Sequence, residues 1–293
     1  AQVRAISAAA LPSLTTDTLR ALSASQVGSL STAQIQALTS SQIMALEAED
    51  LTTFNASQIA ALTSDQLGKL NTAQFVAIDA ADLATVSTAN IALLSTAQAR
   101  ALTRDQLTNL TSAQILAMTT ADLVALTPTQ FSALTSAQSQ GLSASKITAL
   151  TTQNLAAMSG AAFKGLSTDA LHAITTAQAP AIQAGQINSL STAQLQVLSA
   201  EDIALLSTAT VQGISATLLP KLSQSQLNAL TSSQLLALSE AQIPSLPVNA
   251  FHTDAIASLN SKQLASLTLA QVAAFTSTQI NTLTPAQISK ISA

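Results

Sequence analysis

The sequence predicts an all-α repeat α-solenoid, a superhelix of very short capped helices with one helix per eight residues. Three observations predict it. An apolar residue recurs at every eighth position from Ile6 to Leu246, which is (246 − 6)/8 + 1 = 31 consecutive octads without a slip of register. The octads share the phrase L-[S/T]-x-x-Q-[I/L]-x-A, nearly intact in Leu110-Thr-Ser-Ala-Gln-Ile-Leu-Ala117. Helix-start signals fall at the same place in octad after octad. A repeat this short and strict sets the architecture before any single residue is read.

The octad is numbered here from its leucine. Position 2 is Ser, Thr, Asn or Asp in 28 of the 31 octads, the exceptions being Glu47, Gln183 and Pro247. These are the side chains that cap a helix amino terminus. Position 5 is Gln in 17 octads and Asp or Asn in six more. S/T-x-x-Q is a capping box, in which the hydroxyl bonds the N3 amide and the Gln side chain returns to the N-cap amide. Positions 1 and 6 are then N′ and N4, and both are apolar nearly throughout, as a hydrophobic staple requires. Pro128 and Pro285 stand at position 3, the first helical residue, where proline is best tolerated. Position 8 is Ala, Gly or Ser in 22 octads, which lets neighbouring helices approach closely.

The charges sort by position as well. Of the 14 acidic residues, 13 occupy positions 2 to 5, and seven of the ten basic residues occupy positions 7 or 8. That is the polarity the helix dipole favours. A single continuous helix fails, because eight residues at about 100° each leave about 80° of drift per repeat and the apolar stripe winds off any face. A strand fails because positions 1, 6, 8 and 9 break strict alternation. Helices of six or seven residues do not persist alone in water. Stability therefore comes from stacking units on their neighbours.

Along the chain, octads fill residues 1–246, an irregular phase break covers 247–258, and octads resume over 259–293. The break spaces Leu246 and Leu259 by thirteen residues rather than sixteen. Both ends fall in mid-octad, with no polar capping unit. Pro12, Pro180, Pro220 and Pro244 stand at position 7, inside the helix, and predict irregular or shortened helices, with the largest distortion between Pro244 and Leu259. A second period of forty residues overlies the first: position 6 loses its large aliphatic at Ala99, Ser139 and Ala179. One reading is geometric, about five units per superhelical turn. The other is a duplicated five-octad block.

Composition narrows the function. Charged residues are 8% and the net charge is −4, with no Lys/Arg cluster to neutralise a phosphate backbone, so no nucleic-acid partner is expected. Low complexity raises disorder, but disordered chains lack large aliphatics and carry high net charge, and this chain does neither. No apolar run approaches about 18 residues, so no membrane span is expected. Cysteine is absent, which fits an exported protein, and Trp and Tyr, the usual aromatic anchors of binding hot spots, are absent too.

Candidate chemistry is sparse. His172 and His252 both stand at position 7, eighty residues apart, and read as solvated surface histidines rather than metal ligands. Glu47, Glu49, Asp50, Glu201 and Asp202 could suggest Ca²⁺, yet no glycine loop follows and each acid fits the first turn of a helix. Lys146 replaces the usual Gln as a tolerated variant. No Ser or Thr has a His base in its unit, and no phosphate-binding glycine motif occurs. No catalytic, cofactor-binding or metal residue is assigned, and no cofactor is expected.

The tandem phrase, as in Leu190-Ser-Thr-Ala-Gln-Leu-Gln-Val197, resembles the repetitive regions of very large bacterial secreted or cell-surface proteins of the adhesin-like kind. The resemblance covers nearly the whole chain and implies an extracellular structural or adhesive role without a catalytic residue. The leading expectation is a stalk or self-assembling fibre whose partner is itself, by end-to-end contact or continuation of a longer array. The alternative is a binding solenoid that presents a surface to a protein or glycan.

Overall fold

The computed structural model describes residues 2–247 and 253–291. Among them the chain forms α-helices of four to six residues and five short 3₁₀ helices, with no strand. The helix Ser112–Ala117 shows why each octad folds as it does. The Thr111 hydroxyl accepts from the Gln114 amide at 3.1 Å, and Gln114 Oε1 accepts from the Thr111 amide at 2.8 Å, closing the capping box. Leu110 (φ −60°, ψ 138°) and Thr111 (φ −73°, ψ 161°) are both extended, so two residues suffice to turn the chain between helices. Pro128 and Pro285 open their helices as expected.

The position-7 prolines behave as the sequence predicts. Pro12, Pro180, Pro220 and Pro244 each lie in a 3₁₀ segment: Ala8–Ser13, Ala179–Ala181, Leu219–Lys221 and Ile243–Ser245. The ring removes a donor and clashes with the carbonyl four residues back, and the tighter i→i−3 pattern relieves both. The larger distortion expected between Pro244 and Leu259 falls in part on residues 248–252, outside the described residues. His252 lies there as well.

The chain divides into two units, residues 1–142 and 143–293. In the first, Gln42 Nε2 donates to Leu11 O and Leu14 O, both at 2.8 Å, and Gln138 Nε2 donates to Leu107 O at 2.6 Å and Leu110 O at 2.7 Å. In the second, Gln186 Nε2 donates to Leu155 O and Met158 O, both at 2.8 Å, and Gln226 Nε2 does the same to Leu195 O and Leu198 O at 2.9 and 2.7 Å. The separations are 31 and 28 residues each time. Each unit is thus a solenoid whose turn takes about 28 residues, or 28/8 = 3.5 octads.

This corrects the expected five units per turn. The turn is set by the bend at the two extended residues between helices, and that bend closes a turn before the fourth octad is complete. Forty residues is not a whole number of such turns, so the forty-residue pattern is not geometric, and a duplicated block is the reading left standing.

Positions 1 and 6 fill the interior of each unit, with Ile35, Leu107, Ile187 and Leu235 at most 1% exposed. Small residues at position 8 let turns meet: a Cβ on Gly141 would lie 2.4 Å from the carbonyl oxygen of Ser112. The phase break is absorbed without losing the ladder. Gln263 Nε2 donates to Leu235 O and Leu238 O at separations of 28 and 25. Gln271 does the same to Ile243 O and Leu246 O. Both separations are three shorter than elsewhere, matching the 16 − 13 = 3 residues missing from the sequence spacing.

Candidate functional site

The consensus glutamine is the busiest side chain of the fold. Its oxygen caps its own helix, and its nitrogen ties that helix to the turn before. Gln114 shows both halves, with Oε1 on the Thr111 amide and Nε2 donating to Ala84 O at 3.1 Å and Val86 O at 2.8 Å. These acceptors are end-of-helix carbonyls that have no partner within their own helix. The amide is accordingly buried, and Gln74, Gln98, Gln106 and Gln226 are each 1% exposed. Shorter side chains keep the tie where they replace glutamine: Asn90 Nδ2 donates to Leu62 O at 3.0 Å, and Thr210 Oγ1 donates to Ile182 O at 2.8 Å.

A second ladder runs the other way, from position 7 to the turn that follows. Arg4 Nε donates to Ser29 O at 2.6 Å, Arg20 Nε to Ala45 O at 3.2 Å, Asn188 Nδ2 to Gly213 O at 2.8 Å and Gln196 Nε2 to Lys221 O at 3.0 Å. All four span 25 residues and end on a position-8 carbonyl. His172 belongs to the same set, its Nδ1 standing 3.1 Å from Val197 O. It is exposed, as expected, but it is part of the ladder rather than an idle surface group.

The acidic residues serve as caps. Glu47 N donates to Asp50 Oδ2 at 2.8 Å, and Ser199 N donates to Asp202 Oδ2 at 3.1 Å. Asp50 is buried, and this burial, reinforced by the nearby Glu47 and Glu49 carboxylates against the lowering effect of the Glu47 amide, pushes its carboxyl above the ordinary aspartate range. Lys146 is buried and its ammonium is pushed down by that burial. A lysine offers no acceptor, and the helix Ala144–Ala149 has no side-chain cap from Ser143. Among the described residues no group of three His, Asp or Glu side chains is placed to hold a metal ion. None of their helices is long and apolar enough to cross a membrane.

The largest cavity, about 490 Å³, is an open groove between turns of the second unit, lined by Asp169, His172, Gln196, Ser199 and Ser223. A smaller one of about 220 Å³ lies among Arg20, Ser23, Glu47, Glu49 and Asp50. Both offer hydrogen bonding to a polar ligand.

Residues 13–48, 43–77, 75–112 and 115–152 match the family model of the ALTTAQ repeat. The chain is a tandem octapeptide-repeat protein. The family's phrase runs from position 8 to position 5, as in Ala133-Leu-Thr-Ser-Ala-Gln138. ALTTAQ-type octads beyond residue 152 carry the same glutamine ladder, so the architecture continues past the matched stretch. No curated protein matches the chain.

Sequence reasoning read the glutamine as a cap alone and missed the tie. One signal for it was present. A capping box accepts Glu as readily as Gln, yet none of the four glutamates stands at position 5. Only the amide can accept from its own N-cap while donating to another turn.

Proposed function

We propose that the chain is a non-catalytic extracellular structural repeat, a stalk or fibre-forming element at a bacterial cell surface. One observation carries the reading. The conserved-in-pattern side chains of the octad, Ser/Thr, Gln and the two aliphatics, are all consumed in capping helices and joining turn to turn. What remains for solvent at positions 3, 4 and 7 is mostly Ala, Ser, Thr and Gln. A solenoid grows along one direction by adding units, which suits a spacer better than a reaction chamber. The absence of cysteine accords with export.

The test has two arms. Sedimentation velocity and negative-stain microscopy of the purified chain should give an elongated particle, and a spherical one would sink the stalk reading. Antibody labelling of intact cells of the source should stain the surface; labelling that requires permeabilisation would sink the location.

One feature favours the alternative of a solenoid that binds a protein or glycan, the polar groove beside His172. Screening the chain on a glycan array, with His172→Ala as control, distinguishes the two: saturable binding lost in the variant would favour the binding module.

A further inference from the structure

The stacking of turns is directional, and it leaves two unlike edges. Within the array, position 6 of one turn is covered by the next turn, and position 1 by the turn before. The exposures show this at both ends. Ile6, Leu14 and Leu22, the first three position-1 residues, are half-buried, and Leu30, the first with a full turn before it, is 1% exposed. Position 6 is already buried there, with Leu11 and Leu19 at 0%.

The other edge is the converse. Leu264 at position 6 is 1% exposed, Val272 is half-buried, and Ile280 and Ile288 reach 44% and 47%, whereas Phe275 and Leu283 at position 1 stay buried. The hydrogen-bond ladder is directional in the same sense. Gln26 Nε2 at the amino-terminal edge has no acceptor among the described residues, and past Leu259 no glutamine of a following turn reaches the end-of-helix carbonyls.

We infer that the carboxy-terminal edge, carrying Val272, Ile280 and Ile288, is a docking surface for the amino-terminal edge, carrying Ile6, Leu14 and Leu22, of a second copy of this chain. The inference rests on the structural-repeat reading and names its partner and register. The occupant follows from what covers these positions elsewhere: position 1 of a following turn, with its position-5 amides over the carbonyls. A second copy of the first turn supplies the aliphatics and the Gln26 amide. Read as sequence, Ile291-Ser292-Ala293 followed by Ala1-Gln2-Val3-Arg4-Ala5 spells one octad of the consensus, so a junction in this order keeps the phase. The contact joins unlike surfaces and does not close on itself, which generates filaments rather than symmetric dimers. A net charge of −4 offers little repulsion against it.

The experiment uses the polypeptide of residues 1–293, an Ile280→Glu/Ile288→Glu variant and a Leu14→Glu variant, with circular dichroism to show that each stays helical. Sedimentation velocity across a concentration series should show the parent forming end-to-end oligomers and each variant alone staying monomeric. An equimolar mixture of the two variants should stop at dimers, because one good edge remains on each. A parent that stays monomeric at every concentration overturns the inference. So does a variant that dimerises alone, which would mean like edges pair. An elongated monomer leaves the stalk reading intact while defeating the docking edge; a spherical particle defeats the stalk reading itself. If Leu14→Glu unfolds, Ile6→Glu takes its place.

Discussion

Gln114 concentrates the chemistry of the fold in one amide. Its oxygen and nitrogen face opposite demands, one accepting from Thr111 N and the other donating to Ala84 O and Val86 O. Gln114→Glu preserves length and the cap but replaces a donor by a second acceptor. At pH 7 it places a buried carboxylate against two carbonyls, and the expected loss is about 3 kcal/mol or more. A protonated glutamic acid can donate again, so the variant's folded pKa is raised. Its penalty should be small below the unfolded value of about 4.3 and should grow as pH rises through the folded one. Urea melts of parent and variant from pH 4 to 8 check this; equal stability at pH 7 would return glutamine to the role of a cap alone.

Asp50 is the natural counterpart. Burial, then its neighbours Glu47 and Glu49, hold its carboxyl above the model value of 3.8. A raised folded pKa means stability that is present below the unfolded pKa and lost as pH climbs through the folded one. Asp50→Asn keeps an oxygen for the Glu47 amide and removes the charge. The variant should match the parent near pH 3.5 and become the more stable of the two toward pH 7, read from midpoints of denaturation at each pH.

At the scale of the helix, each unit is a capping box with a staple and little else. Helices of four to six residues cannot survive on propensity, so removing a cap acts on the whole unit. Thr111→Ala should cost about 1 kcal/mol. Leu110, 2% exposed, is the N′ residue of that helix and part of the interior. Leu110→Asp buries an unpaired charge and should cost several-fold more. Urea denaturation of the two variants, side by side, decides it; a neutral Thr111→Ala with a mild Leu110→Asp would contradict one helix per octad. Proline marks the limit of this economy. At position 3 it opens a helix, and at position 7 it converts the unit to 3₁₀ while Leu219 and Ile243 stay buried beside it.

At the scale of the solenoid, equivalence of octads matters more than any one of them. A turn of 28 residues brings each glutamine to positions 6 and 1 of earlier octads, whichever octads those are. Deleting one whole octad, residues 62–69, therefore re-registers the ladder and should leave a cooperative helical fold with a modest loss. Deleting residues 62–65 moves position 5 off every acceptor on its carboxy-terminal side and should abolish cooperative unfolding of that unit. Circular dichroism melts of the two deletions test this. The three-residue shortfall before Leu259 shows that the array tolerates a local change when the ladder can step with it, as Gln263 and Gln271 do.

The sequence by itself determined the helical unit, its start, its caps and the places where proline deforms it. These depend on contacts within eight residues, and the residue types at positions 1, 2, 5 and 6 state them outright. The acidic clusters were legible as caps for the same reason, since Asp50 and Asp202 bond amides three residues away. Only the tertiary structure decided the number of octads per turn. That number is a sum of small backbone bends at pairs such as Leu110 and Thr111, and a few degrees at each pair, which no residue type encodes, separates three and a half units from five. With it came the second role of glutamine, the position-7 ladder that takes in His172, and the unlike edges of the array, because each needs to know which residue lies 25, 28 or 31 positions away.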